Sequence, residues 1–224
     1  MIIEIKKDCV KITQKFGERQ SSKIVNFDEF ISKLSMYQKS SFGLLPRDTR
    51  ILESNGEMTV VGIEFPAKQR KINFNSVKYS DDSLHLDVFL PSGIYFEVLR
   101  RADDGKYLHN NSYIFATRGN RVTFGTDQLY YYPMPNIYTD GRICWGNIKT
   151  KPFQYLSAVE GMVSSFFEGA FNSDLFRTDS VNIKVNDASS YFVKLNEAGK
   201  FDDNWLVPHG YTMGDVAHKL LRKL

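Results

Sequence analysis

The chain of 224 residues has 42% hydrophobic residues, 25% charged residues and a formal net charge of +3. This is the composition of an ordinary globular protein and excludes a disordered chain. Acidic and basic residues are mixed along the chain, whereas a nucleic-acid-binding protein is expected to have a clustered basic face. No run approaches the ~20 apolar residues that span a bilayer. The start, MIIEIKKDCV, lacks the pattern of a signal peptide.

The two cysteines, Cys9 and Cys144, are too few and too far apart to form a disulfide scaffold. Neither has the close-set Cys or His partners of a zinc site, and the four histidines are scattered along the chain. We therefore expect a cytoplasmic protein with two free thiols and no metal or other cofactor. Cys9 lies in an alternating strand pattern and is expected to be structural, because free cysteines usually behave as small buried hydrophobes.

Apolar and polar residues alternate in the first 20 residues, which predicts one or two short strands. A helix is predicted next, with Asn26 as its N-cap and Glu29 three residues later. The apolar residues on the expected inner face of this helix are Phe27, Phe30, Ile31 and Leu34.

Strands and tight turns are predicted from about residue 48 to residue 130. The turn dipeptides are Asn55-Gly56, Ser92-Gly93, Asp104-Gly105 and Gly119-Asn120. Two-residue connections of this kind favour β-hairpins, because Asn, Asp and Gly tolerate positive φ. The pattern predicts an antiparallel meander, in which residues 84–90 and 94–99 form one hairpin and residues 113–115 and 122–124 form another.

Helical periodicity begins after Cys144. Apolar residues recur at helical spacing from Tyr155 to Phe167, with Pro152 near the start. Residues 187–198 are compatible with either a helix or a strand.

A last helix is predicted to begin at Thr212 and Asp215, which resemble a capping box. The apolar face of this helix comprises Met213, Val216, Ala217, Leu220, Leu221 and Leu224. The whole pattern predicts an α+β fold with an antiparallel meander sheet flanked by helices. We expect a single domain with its core at about 27–175, an N-terminal extension at 1–26 and a C-terminal helical extension at 176–224.

The segment from Tyr132 to Cys144, YPMPNIYTDGRIC, resembles the active-site segment of ubiquitin-conjugating enzymes. That family has His-Pro-Asn, an aliphatic residue, three variable residues, Gly, one residue, an aliphatic residue and the catalytic Cys. The positions that match in register are Pro135, Asn136, Ile137, Gly141, Ile143 and Cys144. Met134 stands where the family has His, and Trp145 is the first of three residues that replace the usual apolar ones after the cysteine.

The residue-level resemblance covers about residues 130–147, and the order of elements extends it to about 84–170. A predicted meander sheet precedes the motif and a predicted helix follows it, as in the family. The Gly-Asn pair after Trp145, the segment Leu44-Leu45-Pro46 and the long flanks resemble a divergent prokaryotic branch. That branch occurs in PRTRC-type and related bacterial gene clusters, beside a ThiF-like activating enzyme and a JAB-type protease.

The resemblance implies that Cys144 accepts a ubiquitin-like protein as a thioester from a ThiF-like activating enzyme. A lysine amine of a target protein would then attack the thioester. A thiolate suits this chemistry, because it is both a good nucleophile and a good leaving group. The family assigns the stabilisation of the oxyanion to the Asn matched by Asn136. No nucleic acid or membrane is expected as a partner, and the setting would be antiphage defence or plasmid-linked modification.

Four further residues are expected to shape the loop around the cysteine. Gly141 allows a sharp turn, and Pro135 stiffens the approach. Met134 would replace by packing the family's His, which holds the loop in shape, and Trp145 is expected to contribute to the same loop. Asp140 is the nearest acidic residue in the sequence and a possible acid or base.

Other interpretations stay open. A conjugating-like module without catalytic activity could dock a ubiquitin-like or activating protein, which Met134 and Trp145 favour. A nucleic-acid-binding domain would combine the basic pI of about 8.7 with an aromatic cluster that stacks on bases. The residues of this cluster are Tyr130, Tyr131, Tyr132, Tyr138 and Trp145. Asn136 could also be only a turn residue, and His209 could approach the cysteine.

Overall fold

The computed structural model describes residues 2–16, 19–31, 44–75, 83–119, 122 and 125–222. The chain forms two compact units, Met1–Ser41 and Phe42–Leu224. The predicted division into an extension at 1–26, a core at 27–175 and an extension at 176–224 stays a prediction.

The N-terminal unit contains an antiparallel sheet of β1 (Ile2–Ile5), β2 (Cys9–Phe16) and β3 (Arg19–Asn26), in that order. The first two strands confirm the prediction. The sequence did not reveal β3, because its first half is polar and lacks alternation. Residues 27–31 are helical, and Asn26 Oδ1 accepts the Asp28 N–H at 2.8 Å, as expected of an N-cap. The predicted helical position Leu34 lies outside the described residues.

The second unit contains, in its described part, nine strands and three α-helices. The strands are β4 (Thr49–Ser54), β5 (Met58–Phe65), β6 (Lys68–Asn75), β7 (Ser83–Leu90), β8 (Gly93–Arg101), β9 (Tyr107–Ala116), β10 (Gln128–Tyr131), β11 (Ala170–Phe171) and β12 (Pro208–Thr212). The helices are α1 (Glu160–Glu168), α2 (Ala188–Ala198) and α3 (Met213–Arg222). The predicted α+β composition with an antiparallel sheet is confirmed.

The main sheet has six strands in the order β12-β10-β9-β8-β5-β4, and every neighbouring pair is antiparallel. Two hairpins of this sheet form at predicted turns. Gly56 joins β4 to β5 with φ +96°, and Gly105 joins β8 to β9 with φ +81°. These are conformations that glycine adopts without strain.

The predicted hairpin at Ser92-Gly93 is wrong. The strand before it, β7, pairs with β6 in a second sheet that also contains β11, whereas β8 pairs with β5 and β9. Gly93 serves close packing instead of a turn: a Cβ there would lie 2.5 Å from the carbonyl oxygen of Phe115 and 2.6 Å from Cζ of Phe65. The chain therefore changes sheets here, and the meander is interrupted by the β6–β7 pair.

The predicted hairpin between residues 113–115 and 122–124 is also not the pairing observed. Gly119 does turn the chain, with φ +77°. Val122, however, is not in a strand; its N–H donates to the buried carboxylate of Glu64. The strand that pairs with β9 is β10, and residues 123 and 124 lie outside the described residues.

The predicted helices after Cys144 are confirmed within the described residues, and the predicted helical position Leu224 lies outside them. A 3-10 turn at Leu156–Val159 leads into α1. Residues 188–198 form α2, and its N-cap Asp187 makes a capping box with Ser190. At the start of α3, the Thr212 N–H donates to Asp215 Oδ2 at 2.9 Å and the Asp215 N–H donates to Thr212 Oγ1 at 3.2 Å. None of the helices in the described segments has the length and apolar character needed to cross a membrane.

Hydrophobic clusters lie on both faces of the main sheet, because successive residues of a strand point to opposite faces. In β8, Tyr95 and Leu99 belong to the larger cluster, and Ile94, Phe96 and Val98 belong to the smaller one. The smaller cluster also contains Met213, Val216 and Leu220 of α3. The larger one contains residues of α1 and α2 together with Met134, Ile137 and Ile143. The segment that resembles an active site is thus anchored in the core.

Gly93→Ala tests the close packing between β8 and β9. Because the added methyl group meets backbone as well as a buried ring, we expect the free energy of unfolding to fall by about 1–3 kcal/mol. Gly161→Ala is the matched control: Gly161 lies in α1 with nothing within 4 Å of the added Cβ. That change should raise stability by roughly 0.5–1 kcal/mol. Urea denaturation measures both, and equal stability of the two variants would contradict the packing described here.

Candidate functional site

Residues 137–143 form a tight hairpin directly before Cys144. Ile137 and Ile143 form an antiparallel bridge, and the Tyr138 N–H donates to the Arg142 carbonyl at 2.8 Å. The Gly141 N–H closes the turn by donating to the Tyr138 carbonyl at 2.9 Å. Gly141 has φ +84°, and a Cβ there would lie 2.4 Å from the Phe115 ring. Both the backbone conformation and the packing therefore require glycine at this position.

The hairpin is held by the outer edge of β9. The Ile114 N–H donates to the Gly141 carbonyl at 2.9 Å, and the Ile143 N–H donates to the Ser112 carbonyl at 2.8 Å. Farther along the same edge, β10 pairs with Phe115 and Ala116. Cys144 is thus the first residue after a hydrogen-bonded sheet edge, and the core sheet determines its place.

Asn136 and Cys144 are joined through the backbone. The Cys144 N–H donates to the Asn136 carbonyl at 2.8 Å, and the Asn136 N–H donates to the Asp174 carbonyl at 3.0 Å. Asn136 has φ +61°, a conformation that Asn tolerates better than most residues. The turn role and a chemical role of Asn136 are therefore compatible. Within the described residues no hydrogen bond ties down its side-chain amide.

Both residues line an open cavity of about 500 Å³. Cys144 itself is half-buried. The walls come from the segment after Cys144, the C-terminal end of α1, and β11 with the residues that follow it. The lining residues are Asn136, Tyr138, Cys144, Trp145, Gly146, Ile148, Ser165, Phe166, Gly169, Ala170, Phe171, Asn172, Asp174 and Leu175. Three residues singled out in the sequence, Asn136, Cys144 and Trp145, therefore meet at one cavity.

The other predicted site residues lie elsewhere. Met134 and Pro135 are buried beneath the hairpin, and Met134 belongs to the larger hydrophobic cluster. Gly141 faces the Phe115 ring. Asp140 accepts the Arg142 N–H at 3.1 Å and lines a separate small pocket beside α3. Asp140 therefore does not share the cavity of Cys144.

Tyr138 and Asp174 also line this cavity, and the sequence alone assigns a chemical role to neither of them. The Tyr138 hydroxyl lies 3.7 Å from Cys144 Sγ, and this hydrogen bond, followed by the charge of the thiolate, raises the pKa of Tyr138. The Arg142 guanidinium lies 4.4 Å from the centre of the Tyr138 ring. Asp174 comes from the loop after β11, where its N–H donates to Asn172 Oδ1 at 2.8 Å. The position of Tyr138 inside the motif could have drawn attention to it, but no spacing pattern points to Asp174.

His209 reaches the hairpin of residues 137–143 from β12. Its Nε2 donates to the Thr139 carbonyl at 3.0 Å, and its ring packs 4.5 Å from that of Tyr131 and 4.9 Å from that of Phe115. Nδ1 is buried and has no partner in the described part of the chain. A carbonyl can only accept, so the neutral ring carries its proton on Nε2. His209 therefore contacts the turn of the hairpin and does not line the cavity of Cys144.

His209→Gln tests this contact through the pH dependence of stability. Burial, above all, lowers the pKa of His209, and the nearby charges of Lys219 and Arg177 also lower it, whereas the Thr139 carbonyl and Asp140 raise it. The folded state thus binds fewer protons than the unfolded state, whose histidine titrates at about 6.5. The stability contributed by the neutral ring is complete above this pH and is lost as the pH falls towards the lowered pKa.

We therefore expect the free energy of unfolding to drop more for the wild type than for His209→Gln between about pH 7.5 and pH 5.5. The glutamine amide can still donate to the Thr139 carbonyl, so the comparison isolates the titration. Parallel curves for the two proteins, measured by urea denaturation, would contradict the assignment of a neutral, half-buried His209.

In the residues that the structure describes, no group of three or more His, Cys, Asp or Glu side chains is placed to hold a metal ion. The chemistry that this site supports directly is that of a thiol with a nearby amide, hydroxyl and carboxylate.

Comparison with known families gives one finding. The family model described as prokaryotic E2 family D matches residues 27–209, which include β4 to β11 and the whole cavity around Cys144. No curated protein and no solved structure matches the chain.

Proposed function

Because the chain belongs to prokaryotic E2 family D, we propose that it is a ubiquitin-conjugating-type enzyme that carries a ubiquitin-like protein as a thioester on Cys144. The observation that carries the proposal is the backbone connection of Cys144 to Asn136 at one open cavity, within the matched region. The proposed partners are a ThiF-like activating enzyme, a ubiquitin-like protein and a lysine amine of a target. A PRTRC-type or antiphage setting stays a prediction.

In the charging step, the thiolate of Cys144 attacks the activated C-terminal carbonyl of the ubiquitin-like protein. A C–S bond forms, the carbonyl oxygen becomes an oxyanion, and the carrier group of the activating enzyme leaves as the carbonyl is restored. The side-chain amide of Asn136 is available to donate to this oxyanion, since no other hydrogen bond among the described residues engages it. Donors of this kind stabilise the transition state because negative charge develops there.

In the discharge step, a lysine amine attacks the thioester carbon, the C–N bond forms, and Cys144 leaves as a thiolate. The proton of the attacking amine must pass to a base. Asp174 lines the cavity of Cys144 and is the residue we assign to this task, in place of Asp140, which faces another pocket. The Tyr138 hydroxyl, 3.7 Å from Sγ, can donate to the departing thiolate.

The walls of the cavity suit the end of an extended polypeptide. Gly146, Gly169 and Ala170 line it with little side chain, and Ile148 and Phe166 add apolar surface. Ile148 is 58% exposed. We infer that the C-terminal tail of the ubiquitin-like protein lies here, with its last carbonyl at Cys144.

Charging of Cys144 tests the proposal directly. The protein is incubated with a ThiF-like activating enzyme, its ubiquitin-like protein and ATP, and the products are compared on reducing and non-reducing gels. We expect an adduct that reductant removes in the wild type, because a thioester is cleaved by thiols, and no adduct in Cys144→Ala. Cys144→Ser should give an adduct that survives reductant, because an oxyester forms.

Cys9→Ala is the matched control and should charge like the wild type, since Cys9 lies in the N-terminal sheet. The absence of any adduct, with the activating enzyme shown to be charged, would contradict the proposal and favour a docking module without catalysis.

Asn136→Gly tests the oxyanion role. Glycine preserves access to the positive φ of this position and removes only the side-chain amide. We expect single-turnover discharge to free lysine to slow by about 10²–10³-fold, the usual cost of losing one such donor. Asn147→Gly, at an exposed position outside the cavity, is the control and should discharge at the wild-type rate. Equal rates for Asn136→Gly and Asn147→Gly would leave Asn136 with its turn role alone.

A further inference from the structure

A fully buried carboxylate lies inside the main sheet, behind the cavity of Cys144. Glu97 of β8 pairs with Ser112 of β9 and is 0% exposed. Its Oε2 accepts the hydroxyl of Ser112 at 2.7 Å and also contacts the hydroxyl of Tyr95. Its Oε1 lies 2.5 Å from Nδ1 of His109. A buried carboxylate is costly unless donors surround it, and three side chains supply them here.

The donors of this network are well defined. Burial, first, and the nearby charge of Glu97 raise the pKa of Tyr95 well above its ordinary value, so its hydroxyl stays protonated. Tyr95 and Ser112 are both fully buried, with their hydroxyl oxygens 2.8 Å apart. The hydroxyl of Ser112 is therefore held from two sides and has little rotational freedom.

Ser112 contacts the residues on both sides of Cys144. Its backbone carbonyl accepts the N–H of Ile143 at 2.8 Å, and its side-chain oxygen accepts the indole Nε1–H of Trp145 at 3.1 Å. One buried residue of the sheet thus holds the residue before the thiol and the residue after it.

The ring of Trp145 is held by two further contacts. His109, a third partner of Glu97, lies edge-on to the Trp145 ring with the ring centres 6.3 Å apart, and Phe166 of α1 lies edge-on to it at 6.4 Å. Both Trp145 and Phe166 line the cavity. The network around Glu97 therefore ends on a wall of the cavity next to the thiol.

We propose that Ser112 is a positioning residue, which fixes Cys144 through Ile143 and Trp145 and is itself oriented by Glu97. The effect of Ser112 on acyl transfer rests on the proposed function. The effect of Ser112 on the position of the Cys144 thiol is independent of that function, because it is a property of the protein without partners. Loss of the Ser112–Trp145 hydrogen bond makes the segment after Cys144 more mobile. The half-buried thiol of Cys144 is then exposed more often, and a thioester on it is held less firmly beside Asn136.

The test uses a double-mutant cycle of Ser112→Ala and Trp145→Phe in a Cys9→Ser background. Each change removes the same hydrogen bond from one end, and the phenylalanine introduced by Trp145→Phe keeps an aromatic ring between His109 and Phe166. The measured quantity is the rate of alkylation of Cys144 by iodoacetamide, which needs no partner protein. We expect each single variant to react roughly three- to tenfold faster, the factor that corresponds to one neutral hydrogen bond.

Ser112→Ala also removes one donor from Glu97, so the double variant should react no faster than the faster of the two single variants, because both changes remove one shared interaction. Unchanged rates in both single variants, or effects that multiply in the double variant, would overturn the proposal. Trp145 is only half-buried, so the Trp145→Phe variant is expected to fold and still tests the hydrogen bond if Ser112→Ala disturbs folding. Ile72→Val, which trims the core in β6 of the other sheet, is the control for general destabilisation and should leave the rate unchanged.

A spectroscopic measurement separates positioning from general stability. In a Trp205→Phe background, Trp145 is the remaining tryptophan. Ser112→Ala should move its emission to longer wavelength, since the indole loses a buried partner, and Ile72→Val should not. Where charging can be measured, Ser112→Ala should slow discharge of the thioester at saturating amine. A normal discharge rate together with faster alkylation would show that Ser112 positions the thiol without affecting acyl transfer. A failure of every variant to be charged would count against the proposed function and leave the positioning role of Ser112 intact.

Discussion

The outer edge of β9 is the constraint on which the site depends. Backbone groups of Ser112 and Ile114 hold the hairpin of residues 137–143, and β10 occupies the continuation of the same edge. Because these bonds involve main chain, the loop before Cys144 is held in the same way as a strand of the sheet, although it contains little regular structure. The side chains complete the arrangement. Met134, Ile137 and Ile143 are buried in the core, whereas Cys144 lines the open cavity.

Local turn and capping chemistry accounts for the parts of the fold that the sequence predicts correctly. The hairpins at Gly56 and Gly105 need positive φ, and the capping box of α3 needs only Thr212 and Asp215. Ser92-Gly93 has the same composition as a turn, but Gly93 is required by contact with Phe115 and Phe65, which are distant in sequence. The placement of β6 and β7 in a second sheet depends on such distant contacts, so no local sequence pattern predicts it.

The candidate site also combines local features with contacts between residues that are distant in sequence. Asn136, Gly141 and Cys144 lie in or next to one hairpin, so the spacing of the motif was enough to locate this part of the site. Asp174 lies in the loop after β11 and contacts Asn136 through a backbone hydrogen bond, and Ser112 contacts Ile143 from the edge of β9. Both are distant from the motif in sequence, so no local pattern could identify them. Two of the aromatic residues considered for base stacking, Tyr130 and Tyr132, are buried in the core. Their rings are therefore not on an exposed surface that could bind nucleic acid, and they pack in the core instead.

The most direct test of the central claim is the intact mass of the protein after incubation with activating enzyme, ubiquitin-like protein and ATP, followed by peptide mapping under acidic, non-reducing conditions. The account predicts a gain equal to the ubiquitin-like protein less one water, located on the peptide that contains Cys144. It also predicts that added lysine removes this mass and carries it as an amide. A gain located on Cys9 or on a lysine side chain, or an unchanged mass beside a fully charged activating enzyme, would contradict the account.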